Sequence, residues 1–435
     1  MANSNVFCNT PWYEAHIYWD GSFGICCQES NKLYAESNTQ YNIKTMSLAE
    51  WFNSPPVRAF RMEMFSNEGT TTCSRCYNEQ GASGTSRRHR SNQKSVIFTK
   101  QAFDESFKQS PGYKQFMFSK GMAGVTNTVT VDLHIDLGNY CNLACKMCWS
   151  GASSKIATQY VNWGHADHKK YLGTDWTKDT ETWHRFLNEL VTIPKLKNIH
   201  LMGGETLLTG RFEELVDFMT EHKRFEVCFS FVTNGTVFKP ELLDKLKLFA
   251  RVGIEVSIET VTAHNDYVRQ GTDTTVVLEN IQKYIQHCNN TSISLTIRPA
   301  VSALTVGYYY TLLEYCLEHK LMIKSLLVTT PAYLDIKVLP QSVKQQYLQH
   351  YKVILAKLVD IDINGDFNES DATNYKKSVK QQATQIINIL SSNLKNMQYS
   401  IPELAATCKQ WDTIYKFDAK TLYPELADVL EENGY

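Results

Sequence analysis

The 435-residue chain has almost no charge imbalance, with 44 lysines and arginines against 45 aspartates and glutamates and a formal net charge of -1. A nucleic-acid partner is therefore unsupported, because proteins that neutralise many phosphates carry a basic excess. Nowhere do about 18 apolar residues run consecutively, so no membrane span is expected. Proline (11) and glycine (21) are few, which excludes a collagen-like chain or a Pro/Gly-rich low-complexity tract. The opening stretch MANSNVFCNTPWYEAHIYWD lacks a basic segment followed by an apolar one, and a cytoplasmic location is expected. What remains, 43% hydrophobic and 20% charged, is the composition of a folded globular protein, and the length implies two or three structural units.

Cysteine is the residue in excess, at twelve. In a reducing compartment a disulfide framework is not expected, so clustered cysteines point to metal or redox work. The isolated Cys228, Cys288, Cys316 and Cys408 read as packing residues.

Four sections follow from the pattern. Residues 1–80 are rich in aromatics, turns and cysteine, and 81–128 form a polar connection with a basic run, SRRHRSNQK, of which RRHR at 87–90 reads as a solvated loop. From 129 to 335, β-like runs (VTVDLHIDL, LKNIHLMGG, RFEVCFSFVTNG, VGIEVSIET, SISLTIRPA, IKSLLVTTP) alternate with helix-like segments, the pattern of a parallel α/β sheet or barrel. Residues 336–435 form a helical C-terminal extension.

Several strands alternate in polarity where doubly covered strands would be apolar throughout. Val131, Leu133, Ile135 and Leu137 oppose Asp132, His134 and Asp136; Ile254, Val256 and Ile258 oppose Glu255, Ser257 and Glu259; Ile293, Leu295 and Ile297 oppose Ser294, Thr296 and Arg298. Helical crossovers cover one face, which leaves the polar face to line an interior. The expected fold is α/β, a partial (β/α)6 TIM-like barrel with a small Cys-rich α+β domain before it.

Cys141, Cys145 and Cys148, spaced C-x3-C-x2-C, end the first barrel strand. Three thiolates on one short loop hold three irons of a cubane cluster and leave the fourth without a protein ligand. Structural zinc wants four closed ligands, and no fourth Cys or His follows closely. On these residues the chain resembles the radical S-adenosylmethionine (SAM) enzymes, in which such a triplet binds a [4Fe-4S] cluster whose open iron takes SAM. MGGE, Met202, Gly203, Gly204 and Glu205, resembles the family motif that meets the methionine amino group. FVTNGT, with Thr233 and Asn234, resembles the third-strand ending beside the cofactor, and SIETVTAHNDYVRQG the fourth-strand segment that contacts its ribose, implicating Ser257, Glu259 and Arg269. The family often has Asp where Glu259 stands, and an aromatic residue where Met147 stands.

A second set, Cys8, Cys26, Cys73 and Cys76, makes a complete four-thiolate group, with Cys27 as an alternative to Cys26. DGSFGICC, SLAEWFNS and CSRC are similar to the twitch and SPASM domains, which carry auxiliary iron-sulfur clusters in radical enzymes that modify peptides. Family domains of this kind generally follow the barrel, whereas this one precedes it, and the further cysteines of a full SPASM domain are missing after Cys76. A structural zinc ribbon is the alternative for these four thiolates.

The resemblance implies reductive cleavage of SAM to a 5′-deoxyadenosyl radical that abstracts hydrogen from a substrate, an external donor such as flavodoxin or ferredoxin, and a peptide or protein substrate. A nucleotide or small-molecule substrate is the alternative; outside catalysis the alternatives are an iron-sulfur electron carrier or a zinc-stabilised binding module. No residue stands out as catalytic. Asp132, His134, Asp136, His200 and Arg298 are substrate candidates from the polar faces.

Overall fold

The computed structural model describes residues 6–29, 41–65, 69–83, 86–94, 118–126, 132–362, 373–392 and 400–435. They fall into two compact units. The first comprises 1–140, 157–231 and 241–252, and the second 141–156, 232–240 and 253–435.

In the first unit, β1 (Glu14–Ile17) and β2 (Phe23–Gly24) form a hairpin whose turn holds Gly21 at φ +84°. β3 (Asp132–Asp136) pairs parallel with β1 on one side and with β5 (Asn198–Met202) on the other, and β5 pairs parallel with β6 (Cys228–Thr233). The short β4 (Ala144–Cys145) belongs to the second unit. Parallel register aligns whole rows of side chains. Ala15, Leu133, Ile199 and Phe229 form one apolar row, and Ile17, Ile135, Leu201 and Phe231 another, every member at most 2% exposed. The opposite face carries the row His16, His134, His200 and Ser230. Period-two alternation alone produces this split.

The Cys-rich segment is thus joined to the first barrel strand by a parallel ladder. Its helix Leu48–Phe52 starts in a capping box, Ser47 accepting from the Glu50 amide while the Glu50 carboxylate accepts from that of Ser47. Trp51 then stacks on Phe23 at 5.3 Å, which fastens the helix to the hairpin.

The basic run is not a solvated loop. Arg87–Lys94 is a helix, Arg88 is buried, and Arg87 bonds the buried Glu14. A charged run reads as surface unless a buried carboxylate and free carbonyls demand donors; here both do, the Phe7 carbonyl accepting from Arg88 at 2.8 Å.

In the second unit, β7 (Arg251–Val256, its last four residues here), β9 (Ile293–Ile297) and β11 (Met322–Ile323) lie side by side, β9 and β11 parallel. β8 (Arg269–Gln270) pairs antiparallel with β4, and β10 (Ala300–Val301) parallel with β12 (Leu326–Leu327). The run IKSLLVTTP, expected as one strand, is a correction: β11 ends at Ile323, and Leu326 and Leu327 pair instead with β10. An apolar pair fits either ladder, so the local pattern could not choose between them.

Strand and helix alternate as expected for an α/β chain of the partial (β/α)6 type, with helices Thr180–Thr192, Arg211–Glu221, Pro240–Leu246, Thr274–Cys288 and Tyr309–Glu318 between strands. Helices Gln341–Ala356, Asn374–Ser391 and Ile401–Tyr415 follow. Val131 lies outside the described residues, as does part of the connection assigned to 81–128. No described helix is long and apolar enough to cross a membrane.

Candidate functional site

Cys141, Cys145 and Cys148 lie on the segment through β4. Pairing of Cys145 with Arg269, and donation from the Lys146 amide to the Val268 carbonyl at 2.8 Å, tie this segment to β8. The Cys148 amide donates to the Cys145 carbonyl at 2.9 Å, closing a turn, and the Leu143 amide points at the Cys141 sulfur at 3.4 Å. None of the three forms a disulfide. Burial pushes the Cys145 thiol well up, Arg269 pulls it back, and Cys148 and Cys141 push it up again. Three cysteine thiols within eight positions on one loop are a soft donor set that fits an iron-sulfur cluster with one iron left open.

Arg269 is central. Its Nη1 lies 3.7 Å from the Cys145 sulfur, while Nε and Nη2 grip both oxygens of Glu259, the latter at 2.7 Å. Glu259 is fully buried and also accepts from the Ala300 amide at 3.1 Å. Burial opposes the Arg269 charge, but Glu259 and Cys145 overcome it and hold the guanidinium above its ordinary value. The Glu259 carboxylate is therefore engaged by a cation of its own chain.

Asn234 donates to the Asn142 side-chain oxygen at 2.8 Å, and Asn142 in turn donates to Thr236 at 3.0 Å. The β6 ending thereby holds the triplet loop. Thr233 is buried, its carbonyl accepting from the Ser257 amide at 2.9 Å, and Ser257 is half-buried. Asn142 gave no signal in the sequence, where an asparagine between cysteines is unremarked.

Lys146 was also missed. It is 8% exposed, and its ammonium sits 3.0 Å from the Tyr267 ring centroid, 4.4 Å from Trp411 and 5.8 Å from Phe417. Burial lowers its pKa to about 7, with Cys408 and Asp412 acting the other way. Three ring faces stabilise a cation there by their quadrupoles. The residue between two cluster cysteines is thereby tied to the C-terminal helix Ile401–Tyr415 and the residues after it, contacts separated by some 265 positions that no local pattern announces.

In the first unit, Met202 ends β5, and its carbonyl accepts from Leu137 at 3.0 Å. Gly203 and Gly204 take φ of +80° and +44°. A Cβ on Gly203 would lie 2.5 Å from the Gly138 carbonyl oxygen, and one on Gly204 2.1 Å from that of Tyr140. Glycine is required by this approach and by the positive φ. The Glu205 amide donates to the Tyr140 carbonyl at 2.7 Å, so the motif holds the chain one residue before Cys141. The Glu205 carboxylate is 2% exposed and accepts from the Leu207 amide at 3.1 Å.

Cys8, Cys26, Cys73 and Cys76 line one cavity with Arg87 and Arg88. Burial pushes the thiols of Cys8, Cys26 and Cys73 up. Four free thiols around a single void with two guanidiniums beside them fit a metal cluster carrying net negative charge. Cys27 belongs to a different group: with Glu14 and His134 it brings one donor atom each within 4.8 Å. Arg87 already serves that place, its Nη2 reaching Glu14 at 2.6 Å and His134 Nε2 at 3.2 Å.

The substrate candidates form a network. His16 meets Asp136 at 3.2 Å, His134 and His200 lie 4.9 Å apart, His200 bonds Ser230 at 2.7 Å, and Asp132 accepts from Asn198 at 2.5 Å. Arg298, in the second unit, pairs with Glu255 at 3.0 Å.

A triplet loop held by a buried arginine, and a cavity lined by four cysteines, are donor sets of the kind that hold iron-sulfur clusters. Residues 135–302 match the radical SAM superfamily, and residues 8–77 match SPASM, an iron-sulfur cluster-binding domain. The chain's cofactors are accordingly a [4Fe-4S] cluster, SAM and auxiliary iron-sulfur. Over 130 residues it is 32% identical to the mycofactocin maturase MftC of Mycolicibacterium smegmatis, spanning 30% of this chain and 28% of that one. Streptococcus suis SuiB bound to S-adenosylmethionine is similar at 14% identity and TM-score 0.38, covering 61% of this chain and 57% of SuiB. Native anSMEcpe with bound AdoMet is 15% identical at TM-score 0.38, covering 52% and 62%. The chain thus spans less than two thirds of each of these relatives.

Proposed function

We propose that the protein reductively cleaves SAM and uses the resulting radical to abstract hydrogen from a peptide or protein. The observation that carries the reading is the C-x3-C-x2-C loop locked across β4–β8, with Arg269 against Cys145 and Glu259. The barrel assigned to 129–335 would perform the chemistry, 1–80 would hold the auxiliary cluster, and 336–435 would be an extension. When bound, the cluster and SAM supply an electron and a carbon radical able to take hydrogen from an unactivated C–H bond.

The chain's own residues do the rest. Cys141, Cys145 and Cys148 would hold the cluster, and Gly203, Gly204 and Glu205 the methionine end of SAM, the glycines permitting backbone approach and the carboxylate facing an ammonium. Thr233, Asn234, Ser257, Glu259 and Arg269 would border the cofactor; Glu259 acts through Arg269, which keeps fixed positive charge beside a sulfur ligand. Asn142 and Lys146 position the loop. Cys8, Cys26, Cys73 and Cys76 would hold the auxiliary cluster. The peptide reading is supported by the SPASM match, since domains of this kind accompany peptide modification in the family resembled.

Anaerobically reconstituted protein should hold about eight irons, falling to about four in the Cys141/Cys145/Cys148 triple alanine variant. Dithionite and SAM should release 5′-deoxyadenosine from the parent alone. Peptides captured anaerobically should change mass with SAM; capture without a mass change would refute the peptide substrate, and no 5′-deoxyadenosine would refute the enzyme.

A further inference from the structure

Gly307, Tyr308, Tyr310, Tyr347, His350 and Glu425 line a pocket in the second unit to which no cysteine contributes. It forms where the start of helix Tyr309–Glu318, the middle of helix Gln341–Ala356 and the turn Pro424–Leu426 meet. Its floor is an acid held by phenols. Tyr308 donates to one Glu425 oxygen at 3.1 Å and Tyr347 to the other. Neither lysine nor arginine among the described residues pairs with Glu425, so the pocket holds negative charge that its own side chains leave uncompensated.

The neighbouring titratable groups do not supply that charge. His264 stacks on Tyr308 at 3.3 Å, but its ring nitrogens are committed to Thr262 and the Leu422 carbonyl, both at 2.8 Å, and burial lowers its pKa. His350 stacks flat on Tyr310 at 4.2 Å and faces solvent at the rim.

The geometry is built rather than incidental. Tyr347 lies so close to the backbone that a Cβ on Gly307 would fall 2.5 Å from its ring. Glycine there lets the phenol reach Glu425. Each carboxylate oxygen keeps a lone pair beyond the phenol it accepts from, and tyrosine rings surround it. Aromatic faces around one carboxylate attract a compact cation by quadrupole and by charge together. An anion is repelled, and a neutral apolar group would leave the carboxylate desolvated and unpaired.

We propose that this pocket binds an alkylammonium group, a compact cation on an aliphatic stem, with Glu425 as its counter-ion and Tyr308, Tyr310 and Tyr347 as its walls. The site is independent of the iron-sulfur chemistry, and its test does not require cofactor. Two sources carry this group, a free small amine and the lysine side chain of a polypeptide.

The test is a ligand-observed NMR titration of the full chain with n-butylammonium, N-acetyl-lysine methylamide and the neutral isostere N-acetyl-norleucine methylamide. Saturable binding of the two cations, with at least about tenfold weaker binding of the isostere, is expected. Tighter binding of the lysine derivative than of n-butylammonium would assign a polypeptide source, and equal binding a free amine. Glu425→Gln should weaken both cations at least about tenfold. Tyr310→Leu, which removes a rim ring stacked on His350, should weaken them about fivefold while leaving the thermal midpoint in place. Equal binding of the norleucine derivative, no saturable binding of either cation, or Glu425→Gln and Tyr310→Leu binding like the parent would overturn the proposal.

Discussion

Replacing Arg269 by methionine removes the guanidinium and keeps most of the side-chain volume. In the parent, the Glu259 carboxylate has no exposed surface and accepts from Arg269 Nε, Arg269 Nη2 and the Ala300 amide. In Arg269→Met only the amide remains of these three. Breaking one partner of a buried, hydrogen-bonded pair costs about 3–5 kcal/mol, because an uncompensated charge stays behind. One factor of ten is 1.36 kcal/mol, so local opening should become roughly 150- to 5,000-fold more frequent. The effect should reach the triplet loop, since Cys145 and Arg269 are paired in β4–β8. Hydrogen exchange followed by mass spectrometry in apo-protein reads it in peptides covering 141–149 and 257–272. The double variant Glu259→Leu/Arg269→Met should recover most of the protection, because no buried charge is left. Exchange within tenfold of the parent in the single variant, or no recovery in the double, would refute the claim that this pair anchors the loop.

Three further outcomes are expected. Gly204→Ala should cost at least about 1–2 kcal/mol from its positive φ alone, with the overlap on the Tyr140 carbonyl adding to it, read by urea unfolding and by exchange at 138–142. Arg87→Met should strand the buried Glu14 and cost about 3–5 kcal/mol, raising exchange over β1, and Glu14→Gln in the same chain should restore most of the loss; a neutral result would mean Glu14 is solvated. For His264, burial lowers the folded pKa below the unfolded 6.5, so the unfolded state binds more protons as pH falls. Stability should be level above that value and decline as pH drops through it towards the lower folded pKa, and His264→Gln should flatten that part of a melting-temperature profile.

What the linear sequence announced was whatever repeats or clusters locally. The triplet, the four N-terminal cysteines and MGGE are short enough to read as motifs, and alternation separated Leu133 and Ile135, fully buried, from Asp132, His134 and Asp136. The same reading failed where two answers were locally equivalent. Leu326 and Leu327 suit either ladder, and SRRHR looks solvated until Glu14 and the Phe7 carbonyl are seen to need donors.

The amino-acid sequence by itself determined the class of chemistry, because three thiolates in eight positions constrain a metal without long-range help. It also determined the strand-helix alternation, since a period of two or 3.6 is a local property. Only the tertiary structure decided that β1 joins β3, that Glu259 is spent on Arg269, that Lys146 is caged by Tyr267, Trp411 and Phe417, and that Glu425 meets Tyr308 and Tyr347. Each of these brings together groups ten to 271 residues apart. Their partners are selected by burial, which penalises any charge or donor left alone, and burial is a property of the folded chain.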